Sequence, residues 1–286
     1  MKRSAALVLS AGGSRGLAQI GAVGKLEEYG FRISSVAGSS IGSIVGGLYA
    51  MGRLKEYSEW VRTLDKKAVW GLIDFTLKTS GLIKGDRVLE KMKTFIPDMD
   101  IEKMNIPFAA VATDILNERD FVFRQGSFYN AVRASIAIPG IFTSVKHEDT
   151  VLVDGGVLSP VPAEHVVRKK NDILIVVNLY GDRDGELIKP RQKRIHHNTL
   201  LNKIYKHTGS DDTRNPGYVS LLRSCSSAMI HKIVKLNIEK YKPEILINIP
   251  CDSANTFDFY KADKLIAIGA DAAKKAIDQY LVKKEK

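Results

Sequence analysis

Early in the chain an apolar run of strand length twice breaks at small residues and resumes as an amphipathic helix. Residues 5–10 read as a buried strand, Gly12-Gly13-Ser14-Arg15-Gly16 as a tight loop, and residues 17–29, closed by Gly30, as a helix. Residues 35–37 then supply a second short strand and Gly38-Ser39-Ser40-Ile41-Gly42 a sharp turn. Behind it Ile41, Ile44, Val45 and Leu48 fall on one helical face at i, i+3, i+4 and i+7. Strands that alternate with helices predict an α/β layer structure, because parallel neighbours need a long crossover and helices fill it.

The rest of the chain continues the pattern. Leu54, Tyr57, Val61 and Leu64 mark another amphipathic helix, and Gly85-Asp86 reads as the cap of one running to about residue 95. Apolar runs at 108–113, 121–123, 151–153, 173–179 and 245–249 suit interior strands, and residues 262–281 a terminal helix. The expected architecture is three-layered, with a central, mostly parallel sheet flanked by helices. At 286 residues, 44% apolar and 26% charged, one fold can bury about three quarters of its unfolded surface without a disulfide or metal staple. No repeat or linker divides the chain, so residues 1–286 are read as a single domain with its motifs in about 5–180. The one shift in composition is a basic insertion at about 185–215. Within residues 185–210 Lys189, Arg191, Lys193, Arg194, Lys203 and Lys206 stand against one acid, Glu186.

Composition also excludes classes. Cys225 and Cys251 form no CxxC pair and no zinc-spaced cluster, which predicts a metal-free protein of a reducing compartment, the cytoplasm. Met1-Lys2-Arg3 and the apolar stretch behind it imitate a signal peptide, but the stretch is short and runs into the glycine loop. No apolar run reaches about 18 residues, so membrane contact, if made, is expected to be peripheral. The charge of 43 Lys and Arg against 32 Asp and Glu, +11 in all, favours an anionic partner, nucleic acid or a membrane surface.

The chemistry centres on Ser40. A G-x-S-x-G turn between strand and helix projects its serine at a helix N-terminus, where partial positive charge favours an alkoxide or oxyanion. The competing reading is a capping serine. Gly12 to Gly16 form a nest of backbone N–H groups ahead of a helix, suited to a phosphate or to the oxyanion of a tetrahedral intermediate. Ala11 breaks the G-x-G-x-x-G fingerprint, which makes nucleotide binding the second choice. Asp154-Gly155-Gly156 follows an apolar strand, where α/β enzymes assemble their sites, although Asp-Gly is also a common turn. None of the six histidines (His147, His165, His196, His197, His207, His231) stands where a serine hydrolase of α/β-hydrolase order needs its base. His165 falls on an expected surface helix after Pro162.

In this arrangement the chain resembles the patatin-like phospholipases, in particular their short bacterial members. The likeness runs in order over about residues 5–180: Gly12 to Gly16, Gly38 to Gly42, Ala112-Thr113-Asp114, Arg133-Ala134-Ser135 through Ile138-Pro139, and Asp154-Gly155-Gly156. It implies a lipid acyl hydrolase with a Ser–Asp dyad: Ser40 as nucleophile, Asp154 as its partner, and Gly12, Gly13, Ser14, Arg15 and Gly16 as oxyanion loop. Gly38 and Gly42 then frame the nucleophile, and Gly155 and Gly156 complete the acid's motif. No cofactor is implied. An exposed aspartate titrating near 4 is a poor base at neutral pH, so burial is expected to raise Asp154. Arg15 is expected to orient the loop or to pair with a carboxylate.

The implied partner is a lipid ester, with peripheral contact to anionic membrane and no nucleic acid. The apolar segment 69–77 with 81–83 is expected to line or cover an acyl groove, or else to be a core helix. The basic stretch 189–206 suits an anionic lipid surface, or else a solvated loop. A catalytically silent lipid-binding module on the same fold is the third reading.

Overall fold

The computed structural model describes residues 3–76, 81–183 and 218–284. Strands β1 (Arg3–Leu9), β2 (Phe31–Ser39), β3 (Phe108–Asp114), β7 (Ile173–Gly181) and β8 (Ile245–Pro250) lie parallel in the order β3-β2-β1-β7-β8. Beyond β3 the sheet turns antiparallel through β4 (Arg119–Phe123), β5 (Val145–His147) and β6 (Thr150–Asp154). The sheet is thus mostly parallel, as its sequence predicts.

Side chains alternate across the strands and so define the layers. Leu7, Leu9, Ile175, Val177, Ile247 and Ile249 pack on one face. That face is covered by α1 (Leu17–Glu28), α2 (Ile41–Ala50), α6 (Phe128–Ser135) and α8 (Ala262–Lys284). Ala6, Val8, Leu174 and Val176 point the other way, against Val161, Ala163 and Val234 of α7 (Tyr218–Tyr241). The remaining helices are α3 (Leu54–Arg62), α4 (Lys66–Gly71) and α5 (Asp86–Lys93). Among the described residues no helix is long and apolar enough to cross a membrane.

Several expectations change. Strand β2 has nine residues, not three. Ser34 and Ser35, which read as polar, are buried there because their hydroxyls are bonded, Ser34 to Asp172 Oδ2 at 2.7 Å and Ser35 to the Val167 carbonyl. Strand β4 is half-exposed rather than interior. Gly85 is the N-cap of α5, as read, but the side chain that satisfies the helix start is that of Asp74, whose carboxylate accepts from the N–H groups of Gly85, Asp86 and Arg87. His165 lies in a turn, not a helix. The core-helix reading of 69–83 fails: α4 ends at Gly71, and Trp70, Phe75 and Leu82 are 51%, 56% and 59% exposed. Helix α7 and strand β5 are unpredicted. The basic insertion, with Lys189 to Lys206, lies outside the described residues.

Candidate active site

Ser40 closes the turn between β2 and α2 with φ 54° and ψ −126°, a conformation costly for a residue with a Cβ, by about 1–3 kcal/mol. The glycines beside it are required by contact. A Cβ on Gly38 would stand 2.1 Å from the Gly42 carbonyl oxygen, and one on Gly42 2.2 Å from that of Leu9. The helix start is therefore pressed onto the ends of β1 and β2, and the serine is held out of the turn.

The sheet brings the acid to it. Strand β3 pairs first with β2 and then with β6, so that Val111 lies opposite Ser39 and the next residue, Ala112, opposite Asp154. The C-terminal ends of β2 and β6 consequently meet on β3. A Cβ on Gly155 would stand 2.1 Å from the Val111 carbonyl oxygen, so only glycine lets the chain leave β6 this close. Ser40 Oγ donates to Asp154 Oδ2 at 2.5 Å, and the Gly156 N–H donates to Asp154 Oδ1 at 2.7 Å. Both side chains are buried, Ser40 at 4% and Asp154 at 5% exposure. Burial pushes the Asp154 carboxyl up from 3.8 to about 6, against the two hydrogen bonds, which lower it. The arrangement can move a proton: an acceptor poised near neutrality sits in line with a serine hydroxyl.

One contributor is given no role of its own by the sequence. Ser135, the last residue of α6, accepts from the Ser40 N–H at 2.9 Å and donates to the Val111 carbonyl at 2.6 Å. It is fully buried and braces the strained serine from behind. Its only sequence signal is membership of the Arg133-Ala134-Ser135 run. Arg133 fixes the following loop through Thr143, and Asp114 is a buried clamp on the β3–β4 turn. Hydrogen bonds, Thr150's foremost, hold the Asp114 carboxyl well below the usual range.

The glycine loop divides by function. Ala11 and Ser14 give their N–H groups to the carbonyls of Pro160 and Thr256, and Ser14 Oγ donates to Asn255 O. Arg15 turns inward, donating to the carbonyls of Gly12 at 3.1 Å and Cys251 at 2.7 Å and stacking on Tyr180. The bond to Gly12 fits the first of its two expected roles, orienting the loop, and the Asp252 carboxylate lies within electrostatic reach of it. Gly16 is where α1 meets Ile41. Ser14, Arg15 and Gly16 thus anchor the loop, and Gly12 and Gly13 lie against Leu179 and Thr256. Of the histidines, His147 packs on Phe121, His165 bonds Asp120 at 2.6 Å and His231 meets Tyr180. His196, His197 and His207 lie outside the described residues. Among those residues no group of three or more His, Cys, Asp or Glu side chains is arranged to hold a metal ion.

A family model described as patatin-like phospholipase matches residues 7–167. An uncharacterised NTE family protein of Mycobacterium bovis is 37% identical over 180 residues, covering 63% of this chain and 50% of its own length. Lysophospholipase NTE1 of Meyerozyma guilliermondii is 27% identical over 273 residues, 92% of this chain but 18% of its own. The chain thus spans half the length of its mycobacterial relative. The crystal structure of VipD from Legionella pneumophila aligns with a TM-score of 0.48 and 13% identity, over 98% of this chain and 67% of that one.

Proposed function

The chain belongs to the patatin-like phospholipase family, and from that premise we propose that it is a single catalytic domain hydrolysing carboxylic ester bonds of phospholipids or lysophospholipids through Ser40 and Asp154. The observation that carries this reading is the 2.5 Å hydrogen bond from Ser40 Oγ to a buried carboxylate with a raised pKa. Ser40 Oγ attacks the ester carbonyl carbon as its proton passes to Asp154 Oδ2, and the carbonyl electron pair becomes an oxyanion. The oxyanion falls to the amides of Gly12 and Gly13, since those of Ser14 and Ser40 are already bonded to Thr256 and Ser135. Collapse breaks the bond to the alcohol, which leaves with the proton from Asp154. Water, deprotonated by the same carboxylate, then attacks the acyl-serine and releases the fatty acid. No step calls for a metal or cofactor.

The lysophospholipase name of the Meyerozyma relative supports a lipid ester over other acyl substrates. Such a substrate reaches the site by peripheral contact of the protein with membrane, from the cytoplasmic side. The test is a fluorophosphonate probe with a short-chain ester. Labelling and turnover are expected in the parent and lost in Ser40→Ala, with turnover also lost in Asp154→Ala; undiminished labelling of Ser40→Ala would reject the assignment.

A further inference from the structure

Trp70, Phe75 and Leu82, exposed among the described residues 66–76 and 81–87, form one lip. The Thr76 N–H donates to the Leu82 carbonyl at 2.9 Å and that of Lys84 to Asp74 at 2.9 Å, which sets Phe75 beside Ile83 and Leu82 at the edge. Trp70, Phe75 and Leu82 are each more than half exposed, which is unusual for side chains this large in one short segment. The lip is mounted on the mouth of the site. Leu82 and Ile83 donate to the Ile141 carbonyl, and Thr143 donates back to Ile83. The loop from Ile138 to Phe142 that carries it follows Ala137, whose carbonyl accepts the Asp154 N–H at 2.9 Å. Phe142 in turn faces Phe257 at 6.5 Å, next to Thr256, the anchor of the glycine loop.

Charge around the lip is net positive: Lys66, Lys67, Lys84 and Arg87 stand against three acids, each of which is engaged. Asp65 is held by the Ala68 N–H, Asp74 by three amides at the start of α5, and Asp86 by Arg133. Lys67 and Lys84 are exposed and form no ion pair among the described residues. Aromatic and aliphatic tips rimmed by free lysines match an anionic bilayer, whose headgroup region takes Trp and Phe while its surface attracts ammonium groups.

We propose that Trp70, Phe75 and Leu82 insert into an anionic bilayer, with Lys67 and Lys84 on its headgroups, and so present the Ser40 mouth to lipid. The proposal takes the bilayer as substrate source from the function proposed above, but its test reads membrane contact independently of turnover. In a Trp60→Phe background Trp70 is the sole tryptophan. Its emission should shift to the blue on adding phosphatidylglycerol-containing vesicles and be quenched by their brominated counterparts. Phe75→Asp with Leu82→Asp should weaken vesicle binding about a hundredfold, roughly tenfold per side chain. Lys67→Gln and Lys84→Gln should each weaken it about fivefold. Hydrolysis of a monomeric short-chain ester should stay within about twofold in all three variants.

Vesicle binding with Trp70 emission unmoved would overturn the proposal, placing contact elsewhere on the chain. So would equal binding to purely zwitterionic vesicles, or Trp70 emission already blue and shielded from iodide without lipid, the signature of a second copy or another segment over the lip. Absence of ester turnover in the parent protein would instead strike at the hydrolase reading and leave the Trp70 measurement standing.

Discussion

Asp154→Asn should stabilise this protein at neutral pH while stopping its turnover. In the folded chain burial moves the Asp154 carboxyl from 3.8 up to about 6. A folded-state pKa above the unfolded one means that folding prefers the neutral acid. The group's favourable contribution is fully present below about 3.8 and is lost as pH rises through about 6. At pH 7.5 both states are ionised, and the gap between the two values amounts to about 3 kcal/mol against the fold. Asparagine carries no such charge, but it has one carbonyl oxygen where Asp154 offers two acceptors, to Ser40 and to the Gly156 N–H. Keeping the Gly156 bond turns the asparagine amide toward Ser40 and deprives the serine proton of its acceptor, which returns about 1 kcal/mol.

The net gain is about 2 kcal/mol at pH 7.5, a rise in Tm of about 5 °C. It should vanish or reverse by pH 4, where the folded acid is neutral and the unfolded one only about half ionised, so that the penalty has shrunk to about 0.5 kcal/mol. With the base removed, kcat should fall about a thousandfold or more. Calorimetric melts of parent and variant at pH 4, 5.5 and 7.5 decide the matter. A variant that melts below the parent at pH 7.5, or by the same margin at every pH, would show that the carboxylate is not held against its burial.

The same titration predicts that kcat/KM on a soluble ester rises through about pH 6 to a plateau, since the base acts ionised; a profile flat from pH 4.5 to 8 would remove Asp154 from that role. Ser135→Ala leaves the Ser40 N–H and the Val111 carbonyl unpaired in the interior. Denaturant titration should find it about 2–4 kcal/mol less stable, and kcat should drop roughly tenfold to a hundredfold with KM little changed as the strained serine relaxes; parent-like kinetics would refute the brace. Gly42→Ala places a methyl group 2.2 Å from a backbone oxygen that has no side-chain freedom to move. About 3 kcal/mol of stability should be lost, and an unchanged melting point would contradict the close packing of α2 on β1.

Elements with strong local periodicity were readable from the chain: β1, β3, β7, β8 and helices α1, α2, α3 and α8 lie where apolar runs and glycine stops put them. The misses have particular causes. The first half of strand β2 hides behind Ser34 because its buried hydroxyl is satisfied by Asp172, a partner more than a hundred residues away. Among its described side chains helix α7 buries a narrow stripe, Val234 flanked by half-buried Ile230 and Ile238, so most of them read as solvent-facing. The carboxylate that satisfies the start of α5 comes from Asp74, too far upstream of the Gly85 cap for a local capping rule to find.

By itself the sequence determined the α/β alternation and a serine at a strand-to-helix turn, and glycines marked where backbones approach. These are local properties, written in periods of two and 3.6 residues and in side-chain size. Which acid meets that serine is a matter of tertiary structure. Ser40 and Asp154 are 114 residues apart, and they touch because consecutive residues of β3 select Ser39 on one strand and Asp154 on another. The same packing removes water from the carboxylate and raises its pKa, sets Ser135 behind the serine, and turns Ser14 and Arg15 inward. Such couplings depend on register and burial between distant segments, and neither exists until the sheet is assembled.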